Sequence, residues 1–193
     1  MIEFHHINHN HILANEKSGF RHASSTDIAS CNLTMNILTA LNNKLLVGGI
    51  FCDLQKAFDC VNYDILLSKI EFHGICGKAS NLIKSYLQNR RQRTLVDYDS
   101  KKVLLWMRFC YRWSSPGMHT WPPAFSFNVN DISHVISDIS NPVLCADDTS
   151  LIITNSNSQM FKKNINSAIL QLNRWLNSNQ ILLNLEKLVF WNF

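Results

Sequence analysis

An apolar stretch from Val143 to Ile153 is interrupted at its centre by two adjacent carboxylates, Asp147 and Asp148. Two apolar, β-like segments meeting at a short polar bend predict a strand, a turn and a strand. A second apolar run begins at Leu45 and carries Asp53 near its end. Residues 45–54 are expected to form a buried strand, with Gly48-Gly49 marking a bulge or a close packing contact. Strands that end in carboxylates can bring hard oxygen donors to one edge of a sheet. Two-metal nucleotidyl transfer needs such a cluster. By itself an Asp-Asp pair in a turn is ordinary turn chemistry, so the surrounding sequence has to decide.

A chain of 193 residues has room for one domain, and a hydrophobic share of 46% is enough to build its core. The net charge of +4 is mildly basic and compatible with a nucleic-acid partner. Cys31, Cys52, Cys60, Cys76, Cys110 and Cys145 form no C-x-x-C pair and sit within apolar segments, so reduced core thiols of an intracellular protein are expected. No apolar run approaches the roughly 18–20 residues of a membrane span. Residues 1–14 carry His5, His6, His9 and His11 at no ordinary ligand spacing and are expected to be irregular and exposed.

Ser24-Ser25-Thr26-Asp27 is a helix-start signal, followed by apolar positions near helical spacing until Asn42-Asn43-Lys44. Helices are expected over 63–72, stopping at Gly74, and over 78–88 with Leu82, Ile83, Tyr86 and Leu87 inward. Residues 89–93 form a basic turn before a short strand at 94–96. The longest amphipathic helix spans 156–177, with Ile165, Ala168, Ile169, Leu172, Trp175 and Leu176 on one face. A few strands with several longer helices indicate an α+β fold. Residues 106–127 fit neither period, and an insert of about 20 structureless residues is unusual in a compact domain.

Several strings together resemble one family. Phe51-Cys52-Asp53-Leu54-Gln55-Lys56-Ala57-Phe58-Asp59 is similar to the first catalytic motif of the reverse transcriptase domain of non-LTR (LINE-type) retrotransposons. Cys145-Ala146-Asp147-Asp148 is similar to its second, where the family usually has an aromatic residue before Ala-Asp-Asp. Gly19-Phe20-Arg21 with Ser25-Thr26 resembles its fingers motif, and Leu183-Asn184-Leu185-Glu186-Lys187 its downstream lysine motif. The resemblance implies an incomplete palm-and-fingers reverse transcriptase domain over 15–193 with an antiparallel palm sheet, without thumb or endonuclease. It implies Asp53, Asp147 and Asp148 as the catalytic, Mg2+-binding residues, serving two ions. Phe58 would lie under the incoming sugar and disfavour a 2′-hydroxyl. Arg21 would meet template or triphosphate, and Lys187 the triphosphate. Arg90, Arg91 and Arg93 could meet nucleic-acid phosphates.

One motif is missing. Between its two aspartate motifs the family carries Gly-Val-Pro-Gln-Gly at the start of a helix. This chain instead has the Trp- and Pro-rich stretch from Trp113 to Phe127. One permitted codon series for that stretch, read from its second base, spells Gly-Val-Pro-Gln-Gly-Cys-Ile-Leu-Gly-Pro-Gln-Leu-Phe-Leu. The unique codons of Trp113, Met118 and Trp121 all fall where the shifted frame needs them. The expectation is a frameshift shortly before Trp113 and a compensating one near Phe127, where Asn128-Val129-Asn130-Asp131-Ile132 resumes the family pattern. Residues 106–127 are then aberrant. Proline inside the lost helix costs about 3 kcal/mol each.

By lineage the function is RNA-directed DNA polymerisation: Mg2+-dependent nucleotidyl transfer to a primer 3′-hydroxyl, with an RNA template, a DNA primer and deoxynucleoside triphosphates as partners. The broken motif predicts that the isolated chain is inactive. The alternative is a non-catalytic retroelement relic that at most binds RNA through Arg90, Arg91 and Arg93. Phe58 and Gly19-Phe20-Arg21 argue against a different palm-type enzyme such as a cyclase.

Overall fold

The computed structural model describes residues 12–14, 16–18, 25–55, 61–87, 91–98, 101–109 and 126–193; for 55, 86, 91–98 and 101–109 it describes the backbone. Its centre is strand β1, Leu46–Gln55. β1 pairs antiparallel with β5, Asp148–Asn155, in an unbroken register from Leu46↔Asn155 to Asp53↔Asp148. β5 pairs in turn with β4, Asn141–Cys145. On its other edge β1 takes up β6, Leu182–Leu183, near its end and β7, Val189–Asn192, along its middle.

The period-two alternation of β1 divides the core. Ile50, Cys52 and Leu54 face one side, where Leu151 and Ile153 join Phe161, Ala168, Leu172, Trp175 and Leu176 of the long helix α5, Ser158–Asn179. Val47 and Ile152 face the other side, against Ala40 of α1, Thr26–Asn42. The unbroken ladder rules out a bulge at Gly48-Gly49. A Cβ on Gly48 would stand 2.9 Å from Phe161 Cζ, so glycine permits a close packing contact there.

Helix starts follow short polar side chains. The Ile28 amide donates to Ser25 Oγ at 3.3 Å. Asn62 caps α2, Tyr63–Phe72, by accepting from the Asp64 and Ile65 amides, and Asn157 caps α5 in the same way from Gln159 and Met160. Gly74 ends α2 in a left-handed conformation, φ 84°. With α3, Lys78–Leu87, α2 builds a second core cluster of Leu66, Leu67, Ile70, Ile75 and Leu87. Lys69 Nζ donates to the Asn128 carbonyl at 2.6 Å and pairs with Asp131 at 2.8 Å, which clamps α2 to the segment before α4, Ile132–Ile136.

Several expectations need correction. Residues 12–14 are docked, not exposed. Leu13 and Ala14 are buried, and the Asn130 side chain accepts from the Ala14 amide and donates to the Ile12 carbonyl, both at 2.8 Å. The four N-terminal histidines lie outside the described residues. Leu82 is 66% exposed and Ile169 48%, because each sits at the margin of its helix's apolar arc, and Phe161 takes an inward place on α5 instead. Cys31 and Cys76 are exposed and Cys145 half-buried, so of the described thiols only Cys52 is a core thiol. The basic segment is no turn at Arg91 and Arg93. Both belong to β2, Arg91–Tyr98, in a long antiparallel ribbon with β3, Lys101–Phe109. β3 takes in Trp106–Phe109, and Phe127 is buried beside Leu66 and Ile70, so one end of the anomalous segment pairs in the ribbon and the other enters the α2–α3 core. Residues 110–125 lie outside the described residues.

Candidate active site

The β4–β5 hairpin closes with Cys145↔Asp148 as its last pair, leaving Ala146 and Asp147 as a two-residue loop. Such loops need a positive φ to match the strand twist, and Ala146 supplies it at φ 55°. A loop this short holds Asp147 at the tip and Asp148 on the first rung of β5. Because Asp148 is the register partner of Asp53, those two side chains project from the same face of the sheet at its end. The structure thus brings the three aspartates to one sheet end.

Asp53 is held from a second direction. After β6 the chain continues the ladder by one bond, from the Asn184 amide to the Asp53 carbonyl at 3.0 Å. The Asn184 side-chain amide donates to Asp53 Oδ2 at 3.2 Å. A single 3-10 turn, Leu185–Lys187, then carries Lys187 Nζ to within 2.9 Å of the same oxygen. Sequence resemblance marked Lys187 but assigned nothing to Asn184. Its only signal was its place in Leu183-Asn184-Leu185-Glu186-Lys187.

Charge at this end is concentrated. Burial, then the neighbouring Asp147 and Asp53, raise the Asp148 carboxyl above its usual range, while Lys187 pulls it down. The hydrogen bond to Asp53 and its charge raise Lys187, with smaller help from Asp148 and Asp147. Behind the carboxylates, burial and then Asp148 and Asp53 push the Cys52 thiol up to about 12. Cys52 therefore stays neutral and donates to the Thr149 carbonyl at 3.3 Å, a packing group rather than a nucleophile.

Lys17 was not anticipated, since nothing in its polar neighbourhood announces burial. It is 1% exposed. The Ser18 amide donates to the Leu144 carbonyl at 2.7 Å and the Leu144 amide to the Glu16 carbonyl at 2.9 Å, so residues 16–18 lie parallel along the outer edge of β4. Burial pushes the Lys17 ammonium down to about 7, against the opposing pull of Cys145 and Asp147. Arg21, Phe58 and Arg90 lie outside the described residues, and of Arg91 and Arg93 only the backbone is described.

The sequence matches the family described as Reverse transcriptase (RNA-dependent DNA polymerase) over residues 4–192. The chain belongs to the reverse transcriptase family. Over 86 residues it is 36% identical to a Drosophila melanogaster protein described as "Probable RNA-directed DNA polymerase from transposon BS", covering 42% of this chain and 9% of that protein. Its fold is similar to telomerase from Candida tropicalis, with a TM-score of 0.62 and 14% identity over 100% of this chain and 39% of the other. It is also similar to Candida albicans telomerase solved with a fragment of telomeric RNA, with a TM-score of 0.66 and 12% identity over 99% of this chain and 33% of that one. The chain therefore spans a minor part of the length of these relatives. The architecture is that of a partial palm-and-fingers reverse transcriptase domain, α+β, with an antiparallel palm sheet.

Divalent magnesium takes hard oxygen donors, and Asp53, Asp147 and Asp148 supply that chemistry at one edge. Among the described residues no three acidic, histidine or cysteine side chains yet converge as a ready chelating group. Asp53 Oδ2 is instead occupied by Lys187 and Asn184.

Proposed function

We propose that this chain carries the palm portion of an RNA-directed DNA polymerase, which joins deoxynucleotides to a primer 3′-hydroxyl on an RNA template. The pairing of Asp53 with Asp148, with Asp147 on the adjoining loop, carries the proposal in a chain of this family. Asp53, Asp147 and Asp148 would hold two Mg2+ ions. Bound magnesium supplies activation of the attacking oxygen and neutralisation of the departing pyrophosphate. The chain's own contribution is to fix the carboxylates: β1 and β5 set their spacing, and the two-residue loop sets the direction of Asp147. Lys187 meets the triphosphate from the opposite edge. By resemblance, Arg21 and Phe58 contact the nucleotide, and Arg90, Arg91 and Arg93 the nucleic-acid backbone.

The proposal includes inactivity of the chain as it stands. The family's Gly-Val-Pro-Gln-Gly helix start, which helps to hold template and nucleotide, is replaced by a Pro- and Trp-rich sequence between the two aspartate motifs. Primer extension on an RNA template with Mg2+ and deoxynucleoside triphosphates, beside Mn2+ binding, tests both parts. The chain should give no product, and Asp147→Asn should weaken Mn2+ binding. Extension by the unaltered chain, lost on Asp147→Asn, would overturn the inactivity. Unchanged Mn2+ binding in Asp147→Asn would overturn the active-site assignment.

A further inference from the structure

The resemblance places Lys187 against a triphosphate. The structure gives it another partner. Its ammonium lies 2.9 Å from Asp53 Oδ2, delivered there by the one-turn segment that follows β6. The turn is anchored at its start and closed on itself: the Asn184 amide is bonded to the Asp53 carbonyl, and the Lys187 amide donates to the Asn184 carbonyl at 3.1 Å. The Asn184 side chain fixes the same carboxylate oxygen.

The two partners differ in burial. The Asp53 side chain is 16% exposed and that of Lys187 66%. A mostly covered carboxylate opposite a second one needs a compensating cation, because like charges across an antiparallel pair repel. A lysine reaching in from solvent on a flexible stem supplies that charge, and it can leave without opening the core. The oxygen it takes is one that a divalent ion would need.

We propose that Lys187 is the internal counter-ion of Asp53: it neutralises the three-aspartate sheet end when no divalent cation is bound, and a divalent cation has to displace it. This rests on the carboxylate site proposed above. It adds a competitor for that site, which the resemblance does not supply.

Mn2+ alone is the probe, titrated into the full chain at low ionic strength and followed by water-proton relaxation. Lys187→Gln should bind Mn2+ about three- to fivefold more tightly than the parent chain, the scale of one exposed ion pair. Lys187→Arg should bind as the parent does, because it keeps the charge. In an Asp53→Asn background the gain from Lys187→Gln should vanish, as a double-mutant cycle requires for a direct partner. If Asp53→Asn weakens Mn2+ binding but Lys187→Gln does not strengthen it, the carboxylate site stands and the counter-ion inference is overturned. If Asp53→Asn leaves Mn2+ binding unchanged, the site itself falls and the inference with it. Lys187 is exposed on a surface turn, so both its variants keep the fold, and a circular-dichroism spectrum matching the parent's verifies this.

Discussion

Asp53 and Asp148 face each other as the last rung of the β1–β5 ladder, two like charges on one face of the sheet. Such a pair opposes folding, by about 0.2–1 kcal/mol in exposed ladders. Asp148→Asn should therefore stabilise the chain by about 0.5 kcal/mol near neutral pH. The sign with pH follows from the raised Asp148 carboxyl. The folded chain holds that proton more tightly than the unfolded chain does, so the stability Asp148 contributes is present below about pH 4 and lost as pH rises through its folded value. The advantage of asparagine should grow over the same range, and urea midpoints of both chains between pH 3.5 and 7 measure it.

Ala146 holds φ 55° at the first loop position, where a β-carbon is unfavourable. Ala146→Gly should stabilise the hairpin by about 0.5–1 kcal/mol. An unchanged or lowered thermal midpoint would show that the alanine conformation carries no strain.

Lys17 is buried beside β4 with its ammonium pushed down to about 7 from an ordinary 10.5. Between those values the unfolded chain binds more protons than the folded one, so stability attributable to this group rises with pH from about 7 to 10.5. Cys52 acts in the opposite sense above pH 9, since its thiol stays protonated in the fold up to about 12. Lys17→Met removes the first slope and leaves the second. Denaturant midpoints at pH 7, 8 and 9 should climb for the parent relative to Lys17→Met; parallel curves would mean that burial leaves this amine unperturbed.

Asn130 ties residues 12–14 to the segment before α4 through two hydrogen bonds at 2.8 Å. Asn130→Ala leaves a buried amide and a carbonyl without that side chain and should cost about 2–3 kcal/mol. Hydrogen exchange at the Ala14 amide should accelerate beyond what the global loss of stability explains. Equal acceleration throughout the chain would assign Asn130 to general packing.

Local pattern accounts for much of what the sequence revealed. The Asp147-Asp148 hairpin was legible because apolar strands flank a short polar bend. Helix α2 was legible to its last residue because Gly74 stops it. The β2–β3 ribbon was legible only as a short strand over 94–96, since Arg91, Arg93, Lys101 and Lys102 break the apolar run and hide how far this local hairpin extends. Lys17 was illegible for a related reason: a lysine is buried only because a later strand, β4, closes over it. The three aspartates could be named from sequence, but Asn184 acquires its place only when β6 returns alongside β1.

Asp53, Asp147 and Asp148 are proposed to form one divalent-cation site at the end of the palm sheet. Paramagnetic broadening by substoichiometric Mn2+ in an amide-resolved NMR spectrum of the full chain tests it most directly. Signal loss should centre on Asp53, Asp147, Asp148 and Asn184, and Asp147→Asn should abolish that broadening. Broadening centred on the N-terminal histidines, with these four amides unaffected, would contradict it.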